Sequence, residues 1–300
     1  MSRVSQIAQQ TLTLRNILSA EERVQNAQIQ IATGRRSLSY AGIAEDASQL
    51  VSLKGLHTRI DRFIKNNTTI ERRLERMDSA VSTIFDAVSE LRVMLLQALN
   101  AASGGKVPVA TVAQNLLDMV VGALNTKDDG RFIFAGTQTT TRPVQSPVPD
   151  PAAFGVVDNN YYNGDSVELA ARIDESTTIA YGMTADRLAF QQAIGALKAA
   201  IEGANTNNTS LLNSALSLAS NAIQALAGYR TEIGSDLKTI EQADLRSGDY
   251  LTFIEQVISD IENVNIPATV TRLASDQLIL EASFLTLARV SNLSLVDFLN

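Results

Sequence analysis

The sequence predicts a mainly α fold: an elongated rod of long antiparallel helices with coiled-coil-like packing, carrying a small β-rich inserted domain. Three observations predict it. Between Leu53 and Ala98, alternating steps of three and four residues meet Leu53, Leu56, Ile60, Phe63, Asn67, Ile70, Leu74, Met77, Val81, Ile84, Val88, Leu91, Leu95 and Ala98. All but Asn67 are apolar, which is a heptad seam held through successive repeats. The composition is 45% hydrophobic yet only 5% aromatic, without Trp or Cys, as suits helix-on-helix packing rather than a thick aromatic core. Between residues 131 and 184 the helical period gives way to a Pro- and Thr-rich stretch with short alternating runs, and helical patterning returns after it.

Taken in order, Val4, Ile7, Thr11, Leu14 and Leu18 form one helical row, and Ile17, Val24, Ala27 and Ile31 a neighbouring one. A helix whose apolar row drifts in this way needs a partner to be stable. Gly34 is placed to end it as a C′ residue. Arg35 to Ala47 reads as a polar connector into the seam helix, which at 1.5 Å per residue would run for roughly 70 Å. That length cannot bury its seam in a compact globule, so other long helices must lie beside it. Asn67 either fixes register at some cost in stability, in which case leucine there would stabilise the rod, or faces solvent where the helix bends.

Ser103-Gly104-Gly105 ends the seam, and Pro108 opens a second helix carrying Val109, Val112, Leu116, Val120 and Ala123, closed by Asp128-Asp129-Gly130. Phe132-Ile133-Phe134 is strand-like. Tyr161-Tyr162-Asn163-Gly164-Asp165 signals a turn, and Glu168–Ile173 and Thr177–Tyr181 alternate as half-buried strands do. Helix resumes at Asp186 with Phe190, Ile194, Leu197 and Ile201. After the polar link 205–209 a longer helix carries Leu212, Leu216, Ala219, Ile223, Leu226, Ile233, Leu237 and Ile240. Arg246-Ser247-Gly248 allows a bend, and Pro267 marks a kink or restart. Beyond it, Val270, Leu273, Leu280, Phe284 and Leu287 make one row, and Ala274, Leu278, Leu285 and Ala288 the next. The ending Leu293-Ser294-Leu295-Val296-Asp297-Phe298-Leu299 is apolar enough to call for burial. The expected segments are therefore 1–40, a terminal helix pairing with the C-terminal one; 41–130 and 185–265, the two halves of the rod; 131–184, the insertion; and 266–300, the C-terminal helix. The main partners of the seam would be the returning helix, with Leu226 and Ile233, and the shorter 109–123.

Chemistry finds no foothold. The net charge of −7 argues against nucleic acid, and the pairs Arg35-Arg36 and Arg72-Arg73 sit beside acids, as on solvated helix faces. His57 is the single histidine, and one histidine makes neither a triad nor a metal site. Glu45-Asp46 and Asp128-Asp129 lie at element boundaries, where capping and solvation explain them. No phosphate loop, zinc spacing or nucleophile elbow appears, so no catalytic, cofactor or metal residue is expected. Met1-Ser2-Arg3-Val4-Ser5-Gln6 has no apolar core of the kind a cleaved signal needs, and no apolar run is long enough to insert in a membrane.

Ile31-Ala32-Thr33-Gly34-Arg35-Arg36, Tyr229-Arg230-Thr231-Glu232-Ile233-Gly234, Ser259-Asp260-Ile261-Glu262-Asn263-Val264-Asn265 and the apolar ending stand in order at matching ends of a nested chain. In this they resemble the flagellins and flagellar hook-associated proteins. Gly130-Arg131-Phe132-Ile133-Phe134-Ala135-Gly136-Thr137 and Tyr162-Asn163-Gly164-Asp165-Ser166 are similar to segments of the family's hook–filament junction branch. Ala44-Glu45-Asp46-Ala47, Asn263, Asn265 and Pro267 depart from the family pattern. The resemblance implies an extracellular structural subunit of the bacterial flagellum, at the junction of hook and filament and exported by the flagellar type III route. It implies terminal helices that are disordered in the free subunit and form a coiled coil on assembly, through Ile7, Leu14, Leu18, Val270, Leu273, Leu280, Phe284, Leu287, Leu295 and Phe298. Implied partners are the first hook-associated protein, flagellin, further copies of the chain in a ring, and an export chaperone. Leu53, Ile60, Asn67, Leu74, Val81, Val88, Leu226 and Ile233 would pack the rod. A filament flagellin and, in a different class, a cytosolic coiled-coil scaffold are the competing readings.

Overall fold

The computed structural model describes residues 11–100 and 108–289 in full, and of 2–10 and 290–299 the helical backbone alone. The side chains of Ile7, Leu295 and Phe298, and the break expected at Ser103-Gly104-Gly105, lie outside the described residues. Among these the order is α1 (Ser2–Thr33), a short 3-10 turn (Tyr40–Ile43), α2 (Ala44–Asn100), α3 (Val109–Leu124), β1 (Lys127–Asp128), β2 (Arg131–Phe132), β3 (Ala170–Arg172), β4 (Thr178–Ala180), α4 (Leu188–Asn205), α5 (Thr209–Glu262) and α6 (Ile266–Leu299). The fold is mainly α. The inserted segment is less regular than its alternation suggests, and its strands are two or three residues long. The chain divides into two compact units, one of residues 1–59 and 250–300, the other of 60–249.

In the first unit α1 and α6 pack together. They run antiparallel: Arg23 meets Asp276, and Arg35 forms a β-bridge with Asn263. Gly34, at φ +69°, ends α1 in the left-handed region, its N–H bonded to Gln30 O at 2.8 Å. Its carbonyl accepts from Val264 N, and Arg36 N donates to Glu262 O, so the turn after α1 is sewn to the turn before α6. Asn265 caps α6, its Oδ1 accepting from Ala268 N at 3.1 Å. Pro267 falls in that first turn, where no intrahelical N–H is required; it is a restart and not a kink. Residues 44–47, expected in the connector, form the first turn of α2, with Glu45 and Asp46 at its positive end. Ile43, Leu50 and Ile261 close a small core with Leu53, Val257 and Ile258 around it.

The second unit holds the large core. The seam from Ile60 to Leu95 turns inward, Phe63 half-buried among it, and from Ile70 onward it shares one core with Leu116, Leu117, Val120 and Leu124 of α3, Phe190, Ile194 and Leu197 of α4, and Ala219, Leu226, Ile233 and Ile240 of α5. α3 and α4 pack on one another, and α4 is the most deeply buried helix here; its Ala193, Gly195, Ala196, Ala199, Ala200 and Gly203 allow close approach. α5 runs as one helix through Arg246-Ser247-Gly248. A glycine in a helix costs about 1 kcal/mol, little against the packing of the flanking turns. Asp128-Asp129-Gly130 does not end α3. Asp129 and Gly130 are the two positive-φ residues of the β1–β2 hairpin, and Asp128 is buried rather than solvated.

Asp174 organises the β3–β4 turn. Its carboxylate accepts the backbone N–H groups of Ser176 (2.7 Å) and Thr177 (2.6 Å) and both hydroxyls. Burial acts to raise its pKa, but these bonds outweigh it and carry the value down from 3.8 to about 2. A depressed carboxylate supports the fold above its ordinary pKa and loses that support as pH falls through the lowered one. Amide protection of Ile173 and Thr177 should therefore decline between about pH 4 and pH 2 by NMR hydrogen exchange. In Asp174→Ala it should be weak at all pH values; an unchanged profile would remove Asp174 from this role.

Candidate assembly surface

On α1 the buried or half-buried positions include the row Ile17, Ala20, Val24, Ala27 and Ile31; on α6 they are Thr269, Leu273, Asp276, Leu280, Ser283 and Leu287. Both sets keep the three-and-four spacing of a coiled-coil seam. Of the residues expected at an interface, Leu273, Leu280 and Leu287 lie on this seam. Leu14, Leu18, Val270 and Phe284 point away from it, 49%, 62%, 47% and 45% exposed. Leu12, Ile29, Ile266, Leu278, Ile279 and Leu285 are also uncovered, so both helices carry apolar surface beyond the seam they share. Apolar surface of this kind, where contiguous, is what interaction sites on helices are built from.

The residues expected to pack the rod fall on the inner faces. Ile60, Asn67, Leu74, Val81, Val88, Leu226 and Ile233 are buried and Leu53 is half-buried. Asn67 does not face solvent. Its amide donates to Ile173 O at 2.9 Å and to Asp244 Oδ1 at 2.5 Å, tying α2 to the β3–β4 turn and to α5. Burial holds Asp244 above the usual carboxylate range, with the Asn67 bond working against that shift. Arg230 of α5 bonds Asp78 of α2 at 2.9 Å, a second tie between the same two helices.

The two segments that resemble the junction branch dock on each other. Thr137 N donates to Asp165 Oδ1 at 3.0 Å, and the Thr137 hydroxyl to Asp165 Oδ2. Those bonds, the hydroxyl first, hold the Asp165 pKa down. Tyr162 OH donates to Asp165 O at 2.6 Å. Gly136, at φ +67°, has no room for a side chain, since a Cβ there would lie 2.1 Å from Asp165 Oδ1. Tyr161 OH, deeply buried, donates to Ala185 O at 2.8 Å, and its burial raises its pKa well above the usual tyrosine value.

Two ion-pair hubs escaped the sequence reading. Arg187 bonds Glu168 (2.6 Å) and Glu232 (2.8 Å) and stacks 5.1 Å from the Tyr229 ring centre, joining the insertion, the start of α4 and α5. Burial opposes its charge, and the two carboxylates more than compensate and push its pKa up. Asp128 lies between Arg72 (3.4 Å) and Arg76 (2.8 Å), with Arg72 also on Asp129, which fixes the β1–β2 hairpin to α2. The only hint was the i, i+4 spacing of the arginines. His57 bonds Glu255 at 3.0 Å. Among the described residues no group of His, Cys, Asp or Glu could hold a metal ion, and no helix is long and apolar enough to cross a membrane.

An antiparallel terminal pair with uncovered apolar faces and a core of long helices define the architecture of a mainly helical protein. Residues 4–139 match the family model of the bacterial flagellin N-terminal helical region. Over 296 residues the chain is 23% identical to flagellar hook-associated protein 3 of Escherichia coli strain K12, covering 89% of this chain and 90% of that one. Among solved structures it is similar to one assigned as a flagellar hook-associated protein from Vibrio parahaemolyticus, with TM-score 0.63 and 17% identity over 74% of this chain and 100% of that one. It is also similar to flagellar hook associated protein-3 from Legionella pneumophila, with TM-score 0.56 and 16% identity over 70% and 98%. The structural likeness speaks to the fold. Residues 4–139 thus match the flagellin N-terminal model, and the chain as a whole is similar to flagellar hook-associated proteins.

Asn67→Leu removes the donor that Ile173 O and Asp244 share and should destabilise the chain by about 1–3 kcal/mol in urea unfolding. The sequence alone suggested a gain. A leucine variant as stable as the parent would show that the two acceptors find other donors.

Proposed function

We propose that this chain is a structural subunit of the bacterial flagellum that forms the junction between hook and filament. The observation that carries the reading is the terminal pair: α1 and α6, from opposite ends of the sequence, join in one unit and leave apolar rows uncovered on both. A Leu or Phe side chain moved from water into a packed interface gains about 1.5–3 kcal/mol. A few such residues per neighbour suffice to hold subunits together without any covalent or metal link. Leu14, Leu18, Val270 and Phe284 are the residues assigned to neighbours, with Ile7, Leu295 and Phe298 continuing the same helices. The partners are the first hook-associated protein on one side, flagellin on the other and further copies of the chain around a ring. An export chaperone would cover the α6 face before assembly, and export would leave the N-terminus intact. Segments 1–40 and 266–300 then act as the joint, 41–130 and 185–265 as the spacer, and 131–184 as an outward insertion.

Phe284→Asp, on an exposed position, should leave helix content unchanged and stability within about 0.5 kcal/mol, yet abolish incorporation into isolated hook structures. Deleting residues 293–300 should spare the helicity of the rod and likewise stop incorporation. Either variant incorporating at the parental level would overturn the assembly reading. The intact subunit should bind hook ends without forming filaments when seeded alone; self-propagating filaments would identify it as a flagellin.

A further inference from the structure

Left to hydrophobicity, α6 would offer α1 its more apolar face. It does not. The seam alternates Leu273, Leu280 and Leu287 with Thr269, Asp276 and Ser283, and the last three are polar. About a third of a turn round the helix, Val270, Leu278, Phe284 and Leu285 stand exposed.

The polar face is chosen although it carries a carboxylate. The Asp276 side chain is only 9% exposed; Oδ1 accepts from Arg23 Nε at 2.9 Å, and Oδ2 is buried without a hydrogen-bond partner. An ion pair with an unsatisfied oxygen contributes little net stability, and its best-attested use is to specify one arrangement among several. Arg23 is placed for that use. It lies among the seam residues Ala20, Val24 and Ala27, about half exposed, and is steadied by a bond to Ser19 Oγ at 3.3 Å. The Arg23–Asp276 pair and the Arg35–Asn263 bridge sum to nearly the same residue number, 299 and 298, so one antiparallel register satisfies both.

We propose that Arg23 and Asp276 are orientation-determining residues. They hold α6 with its less apolar face on α1, and so keep the Val270, Leu278, Phe284 and Leu285 face turned outward for neighbouring helices. This rests on the assembly reading above for its purpose, though not for its test. Without Arg23 the buried carboxylate has no counter-charge. The way to hydrate it while keeping the helices paired is to rotate α6, which carries the apolar face inward.

The chain has no native cysteine, so single-cysteine reporters in the full-length protein read the orientation directly. Leu278→Cys should react quickly with a maleimide in the parent, and Ala20→Cys, fully buried in the seam, slowly. In the Arg23→Leu background, Leu278→Cys should slow by about tenfold while Ala20→Cys stays protected. The charge exchange Arg23→Asp with Asp276→Arg should restore fast labelling at position 278. An unchanged rate at 278 in Arg23→Leu overturns the proposal. So does fast labelling of both reporters there, which would make the pair a simple stabiliser, or fast labelling of Ala20→Cys in the parent. None of these readings requires assembly. A chain that passes them yet fails to join hook structures counts against the function and leaves the orientation device standing.

Discussion

A helix of 57 residues cannot hide one of its own faces, and the rest of the fold follows from that constraint. At 1.5 Å per residue α2 is about 85 Å long, and its apolar seam needs cover for most of that length. In the second unit α3, α4 and α5 share the task, with the inserted segment adding Phe134, Val144 and Ile173 to the same core. In the first unit a smaller cluster around Leu50 and Ile261 does so. Few aromatics are needed because helices at close quarters interlock through Leu, Ile, Val and Ala. An aromatic chain, Phe134–Phe190–Tyr229, sits where the insertion meets α4 and α5.

Apolar seams say little about register, because one leucine row fits the next nearly as well after a shift of one heptad. Polar contacts supply what the seam lacks. Asn67 with Asp244, and Asp78 with Arg230, lock α2 to α5 at two heights within the second unit. His57 with Glu255 and Lys54 with Glu262 do so within the first. Each pair costs desolvation and contributes modest net energy; what it adds is the exclusion of shifted pairings. The Asp128 and Arg187 hubs work likewise on the insertion, whose strands are too short to hold themselves. The Arg23–Asp276 pair carries the same logic to the terminal helices, where the alternative faces differ most.

What was legible in the sequence was whatever repeats. The α2 seam, the α5 row and the nested order of elements follow from spacing, and Gly34 from local turn chemistry. What was not legible depends on partners far along the chain. Asn67 could be seen to interrupt a seam, but Ile173 and Asp244, its acceptors, lie 106 and 177 residues away. Asp128 looked like a solvated cap because the arginines that bury it belong to another helix. At Gly248 the helix continues despite a residue that would allow a break, and at Pro267 the choice between kink and restart is settled by its place in a first helical turn. At the termini there is too much apolar surface for one face, and the pairing of α1 with α6 separates the covered row from the free one.

That separation distinguishes the two units physically. The second unit spends its apolar residues inward: of the seam positions from Ile60 to Leu95, Phe63 alone is half-buried and the others are fully buried. The terminal pair keeps Leu12, Leu18, Leu278 and Leu285 each more than 60% exposed. A monomer selected only for its own stability would have turned these residues onto one another, since the helices are already adjacent and a rotation of α6 would bring a more apolar face into the seam. Stability of the single chain is therefore not what the arrangement maximises. It leaves apolar surface free for contacts that these two helices do not make with each other.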